Sequence, residues 1–162
     1  MAGPSYTVQP IGVVHSPYRE PEGMPTQSGR DETPATVEID PAYAEGLSDL
    51  EGFERIWLVC WHHRARPCRL KVTPHMDSRP RGLFATRAPS RPNPIGISPV
   101  RLVAVRGNVL EIRGCDLLDG TPVLDIKPYA PQFDAFEGSR VGWLAERDPS
   151  AHPADGRSSE AN

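Results

Sequence analysis

Nineteen prolines are spread along these 162 residues, more than twice the ~5% of an average chain. A proline inside a helix removes a backbone hydrogen bond and clashes with the preceding turn, at about 3 kcal/mol or more. Few stretches long enough for a helix escape one, so the chain is expected to build short strands joined by stiff turns. A hydrophobic content of 38% is lean but sufficient for one core, and the length suits one domain. No apolar run approaches the roughly 18 residues that a membrane span needs.

The strand pattern fits this expectation. Residues 6–14 are rich in β-favouring side chains but carry Pro10, which implies an edge or a bulge. Residues 36–40 read as a short strand, and 41–50 as a short helix with proline in its first turn. Residues 54–61 hold a continuous apolar run of strand length, predicted as a central strand buried on both faces. Residues 70–72 and 83–86 are weaker strand candidates. Residues 98–105 and 109–113 alternate around Gly107-Asn108, which predicts a two-residue hairpin, and 123–126 adds a further strand. Strands follow strands with almost no helix between them, so the fold class is all-β: a small antiparallel β-barrel with one or two short helices. The expected division is a flexible N-terminus over 1–5, a barrel domain over 6–146 and a disordered tail over 147–162.

Charge is unevenly placed. The chain totals −3, yet residues 62–113 carry eleven Arg and Lys against Asp77 and Glu111, a net of +9. Such a segment suits a polyanion, and equally a solvated face balanced by acidic neighbours. Three cysteines leave one over in any pairing, and the first residues lack a charged and then apolar leader, so a reduced, cytosolic protein is expected.

Several site signatures are missing. No Gly-x-Gly-x-x-Gly follows a strand, no P-loop occurs, and no Gly-x-Ser-x-Gly elbow is present. His62, His63, Cys68 and His75 match no zinc-ligand spacing, so no metal is assigned. Two segments stand out instead. In Thr86-Arg87-Ala88-Pro89-Ser90-Arg91-Pro92-Asn93-Pro94-Ile95-Gly96, prolines fix the backbone and are expected to hold its carbonyls as a rigid wall, while Arg87 suits a carboxylate or phosphate. A plain turn between strands is the alternative. In Asp116-Leu117-Leu118-Asp119-Gly120-Thr121-Pro122-Val123-Leu124-Asp125-Ile126-Lys127-Pro128-Tyr129, carboxylates alternate with apolar residues beside the sheet. They suit ligand hydroxyls, an amine or a proton, while Asp119-Gly120 equally suits a bare turn and Asp125 a pair with Lys127.

Together with residues 11–18 and 53–57, these two segments resemble the TsaA-like family, which includes the TrmO tRNA methyltransferases. The resemblance implies a barrel that binds S-adenosyl-L-methionine, works as a homodimer and methylates the N6 of threonylcarbamoyladenosine beside the tRNA anticodon. Carried over, the cofactor contacts are Gln27, Ser28, Gly29, His62, His63, Arg87, Ile95, Gly96, Ile97, Asp116, Leu117, Leu118 and Asp119. Asp116, Asp119 and His62 are the candidate bases. Arg64, Arg66, Arg69, Lys71, Arg79, Arg81 and Arg91 are candidate phosphate contacts, with Trp61 either a stacking platform or core. A small-molecule acceptor, or a noncatalytic module that binds the cofactor or RNA, is the competing reading.

Overall fold

Alternation of inward apolar and outward residues organises the chain. The computed structural model describes residues 3–25, 32–75 and 77–146. Among them run β1 (Gly12–His15), β2 (Pro34–Ile39), β3 (Arg55–Trp61), β4 (Lys71–Val72), β5 (Arg81–Gly82), β6 (Ile95–Arg106), β7 (Val109–Arg113) and β8 (Pro122–Pro128). Six of them close an antiparallel barrel in the order β1-β2-β7-β6-β3-β8, and closure leaves no sheet edge to protect. Among the described residues helix is confined to 3₁₀ turns and the four-residue α1 (Pro131–Asp134).

The barrel interior is the core. Val14, Val37, Ile56, Leu58, Cys60, Val100, Leu110 and Val123 are wholly buried there, and each large aliphatic one contributes about 1.5–3 kcal/mol. In β3 only every second residue is fully buried, while Trp57, Val59 and Trp61 on the outside stay half-buried. The expectation of a strand buried on both faces is thus corrected: a barrel has one interior, and among the described residues no second layer of strands or helices covers the outside of β3.

Other boundaries also shift. Residues 6–10 are exposed and outside any strand; pairing begins where Ile11 N–H donates to the Val123 carbonyl, 2.8 Å. Leu83–Ala85 is a 3₁₀ turn, not a strand, because the Thr86 N–H and hydroxyl both close back on the Leu83 carbonyl. Arg81 and Gly82 pair with β4 instead. The hairpin is as expected: Arg106 faces Val109, and Gly107 takes φ 62°, the left-handed value that a two-residue turn demands of its first position.

Strand order decides where the loops lie. Neighbouring barrel strands alternate in direction, so residues 16–33, 62–94 and 114–121 all leave from one end, the mouth. The 107–108 hairpin and residues 40–54 close the other. In the six-strand ring β7 and β8 stand opposite each other, so residues 114–121 cross the mouth. Cys115 and Leu117 point down into the core from this crossing and are buried. Residues 62–94 form an arm, carrying the β4–β5 ribbon, with Val72 and Leu83 buried outside the main core cluster.

Candidate functional site

Most of the described residues named above as cofactor contacts lie at the mouth end of the barrel strands. His62 and His63 follow β3, Arg87 lies in the arm, Ile95, Gly96 and Ile97 open β6, and residues 116–119 belong to the crossing. Strand topology puts residues 62–63, 95–97 and 116–119, far apart in sequence, at one end of the barrel. Gln27, Ser28 and Gly29 lie outside the described residues, as does the 147–162 tail.

The crossing sets the carboxylates. With Cys115 and Leu117 anchored below, Asp116 sits at the rim, where the Ser98 hydroxyl donates to its Oδ1 at 2.7 Å. Ser98 is itself buried, so the bond satisfies a hydroxyl that burial would otherwise penalise by about 1–3 kcal/mol. Asp119 is bound differently. Its Oδ1 accepts from Ser16 N–H at 3.2 Å, and its own N–H donates to the Tyr18 carbonyl at 2.7 Å. It thereby ties the crossing to the 16–33 loop. Gly120, at φ 78°, completes the turn. Asp125 is drawn away into a 2.8 Å pair with Lys127.

His62 packs over Gly96. A Cβ built on Gly96 would lie 2.2 Å from His62 Nε2, so only glycine admits the ring there. Burial, with His63 and Arg91 nearby, holds the His62 imidazole below the usual histidine range. Burial and Arg64 do the same to His63. Neutral imidazoles add no positive charge to the mouth. Beneath them burial pushes the Cys60 thiol up to about 12, helped by Asp116 and Cys115, so it stays protonated.

Several carbonyls of the proline loop are fixed by donors from within and around it. Arg91 donates to the carbonyls of Thr86 and Ala88 at 3.1 and 3.2 Å. The Pro89, Ser90, Asn93 and Pro94 carbonyls accept from the N–H groups of Arg91, Arg69, Ile95 and His62. A segment this rich in proline has few N–H donors of its own, so its carbonyls recruit donors from around it. They hold the loop rigid. Through Nη1, Arg91 therefore ties the loop together. Arg64 is held by Glu20 at 2.7 Å and Arg81 by Asp77 at 2.6 Å. Arg87 is exposed.

Ser98 escaped the sequence reading, although a signal was present. It shares the inward parity of Val100 and Leu102 in β6, and a polar residue on an apolar parity marks a buried polar contact. Among the described residues no group of three or more His, Cys, Asp or Glu side chains is placed to hold a metal ion. No helix among them is long and apolar enough to cross a membrane.

Residues 13–135 match the family described as the tRNA-methyltransferase O N-terminal domain. The chain belongs to that family. Within it, the chain is 54% identical over 137 residues to a probable S-adenosyl-L-methionine-binding protein of Pyrococcus abyssi, covering 84% of this chain and 74% of the relative. It is 34% identical over 166 residues to the tRNA (adenine(37)-N6)-methyltransferase of Escherichia coli K12, covering 93% and 68%. The crystal structure of TrmO from Pseudomonas aeruginosa superposes with a TM-score of 0.76 at 39% identity, over 90% of this chain. This chain spans 65% of the length of that structure. Family membership accounts for the shared barrel.

Proposed function

We propose that this protein transfers the methyl group of S-adenosyl-L-methionine to the exocyclic N6 of an adenosine in tRNA, threonylcarbamoyladenosine beside the anticodon being the acceptor. One observation carries the reading: His62 packs on Gly96 and Asp116 bonds to Ser98 at the same end of a barrel whose E. coli relative is named for this reaction. The residues fit the cofactor chemically. A sulfonium is a cation without a donor, so a rim carboxylate at Asp116 attracts it and neutral His62 and His63 do not repel it. Arg87 suits the carboxylate at the amino-acid end of the cofactor, and Asp119 suits ribose hydroxyls.

The bound cofactor would supply an electrophilic methyl on a positively charged leaving group. The protein's share is placement and the proton. N6 of a carbamoylated adenosine is a weak nucleophile, so in-line alignment carries much of the acceleration, and the proton it sheds needs an acceptor. Asp116 already accepts from Ser98 and Asp119 from Ser16, whereas His62 is held neutral and offers a ring nitrogen. His62 takes the proton in this scheme, and the two aspartates bind.

Two further parts of the proposal concern assembly and place. The outer face of β3 and β6 carries Val59, Trp61, Ile95 and Ile97 as cross-strand neighbours, with Ile95 and Ile97 substantially exposed; a second copy of the chain covers this stripe in a homodimer. The protein acts in the cytoplasm, where its tRNA is. The decisive experiment is nucleoside mass spectrometry of tRNA from a deletion strain, alongside calorimetric titration with S-adenosyl-L-methionine. Loss of N6-methylated threonylcarbamoyladenosine, restored by the wild-type chain and not by His62→Ala, is the expected result. Unchanged tRNA with intact cofactor binding moves the acceptor to a small molecule, and absent cofactor binding removes the reading altogether.

A further inference from the structure

We propose that Phe84, seated on the Arg91 guanidinium, is a stacking platform for an unpaired base of the RNA that flanks the methylated adenosine. This rests on the tRNA reading above and assigns the contact that holds the anticodon loop against the mouth. Trp61, the aromatic that sequence singled out for such stacking, is half-buried on β3, whereas Phe84 is 74% exposed.

The exposure is built in. Leu83 is buried and anchors the 3₁₀ turn Leu83–Ala85; with Leu83 pointing in, the next residue of so tight a turn points out. The ring does not hang free. Arg91 Cζ lies 5.6 Å from its centroid, within cation–π range, and the same guanidinium is fixed by the Thr86 and Ala88 carbonyls. One ring face is therefore supported by a rigid cation and the other is left for a partner. A flat, pre-set aromatic surface is what single-stranded bases stack on, largely irrespective of sequence.

Its surroundings select the partner. Residues 62–94 carry eight Arg and Lys against one acid, Asp77, and that acid is taken up by Arg81. Lys71, Arg79 and Arg87 are exposed around the arm, a charge pattern complementary to a phosphate backbone. Arg91 also lies close enough to His62 to disfavour its protonation, so a single arginine separates the platform from the reacting end. Phe133 and Phe136 are comparably exposed, but among the described residues no guanidinium lies over either ring, and the stretch they belong to meets the arm only further on, where the Trp143 indole N–H donates to the Ala85 carbonyl at 2.9 Å.

The test uses the full-length protein and a fluorescein-labelled anticodon stem-loop RNA, read by anisotropy. Phe84→Ala is expected to weaken binding about tenfold, within the range stacking gives per base; Phe84→Trp keeps wild-type affinity, and Phe84→Leu behaves like Phe84→Ala. In methylation assays the loss falls on KM for tRNA, with kcat nearly kept and S-adenosyl-L-methionine affinity unchanged. Wild-type binding by Phe84→Ala, or rescue by leucine as complete as by tryptophan, overturns the assignment. So does a dimer-to-monomer change in sedimentation for Phe84→Ala, which would give the ring to a second copy. Wild-type protein that binds the cofactor but not the stem-loop would refute the underlying tRNA reading, a failure distinguishable from failure of the platform alone.

Discussion

Gly96→Ala isolates the contact on which the mouth geometry depends. The added Cβ would stand 2.2 Å from His62 Nε2, 2.7 Å from Cε1 and 3.1 Å from Cδ2, against a comfortable separation of roughly 3.5 Å. The ring must retreat by about 1.3 Å on that separation. Its backbone cannot follow, because the His62 N–H is tied to the Pro94 carbonyl at 2.7 Å. What remains is an off-rotamer imidazole or a displaced strand, an overpacking cost of about 1–3 kcal/mol. Gly96 has no positive φ, so without the clash alanine would stabilise by about 0.4–1 kcal/mol through the unfolded chain. The variant should therefore unfold at a urea midpoint lower by about 0.5–1 M, for a slope of roughly 1–3 kcal/mol/M, and should bind S-adenosyl-L-methionine more weakly. In a His62→Ala background the same substitution should be neutral or stabilising, a coupling of about 2 kcal/mol in the double-mutant cycle. An equal penalty with and without the imidazole would refute the reasoning, since the contact would then not be the source of the cost.

Three other outcomes follow from the site. Arg87→Ala should lower cofactor affinity while leaving stability within about 0.5 kcal/mol of wild type, and Asp116→Ala should lower both, because Ser98 then keeps a buried hydroxyl with no acceptor, at about 1–3 kcal/mol; calorimetry that finds wild-type affinity in both variants means the pocket lies elsewhere. In the native protein a maleimide should label exposed Cys68 and spare Cys60, whose thiol at about 12 is buried and protonated; peptide mapping that finds Cys60 modified before unfolding contradicts the burial argument. Stability should fall as pH drops below 6.5, the ordinary histidine value, because the unfolded chain then binds a proton that folded His62 resists, and stability rises with pH wherever the unfolded state holds more protons. His62→Gln should flatten this dependence in part, His63 supplying the rest; an unaltered pH profile of the urea midpoint would remove His62 as its cause.

The class of fold and the chemistry on offer were legible in the residues before any folding was considered. Prolines excluded long helices, alternation over residues 98–113 set the β6–β7 hairpin, and the two unusual segments carried Gly96 and Asp116, which the fold sets at one end of the barrel. These are local properties, fixed by φ restriction and period-two burial, and they survive in any context. What depends on neighbours was misjudged. Residues 54–61 look buried on both faces because apolar runs do not reveal how many layers surround a strand. The donors that fix the loop carbonyls, Arg69 and Arg91 among them, were equally hidden, because their positions are set only by folding.

Convergence, by contrast, belongs to the folded barrel. That Asp116 meets Ser98, and His62 meets Gly96, follows from the ring order β1-β2-β7-β6-β3-β8, which sends three long loops to one end and draws residues 114–121 across it. The same closure separates the two aspartates: Asp116 faces the rim while Asp119 clasps the 16–33 loop. Spacing along a chain cannot encode such pairings, because contacts between distant segments are chosen by strand register and by the single interior they must share.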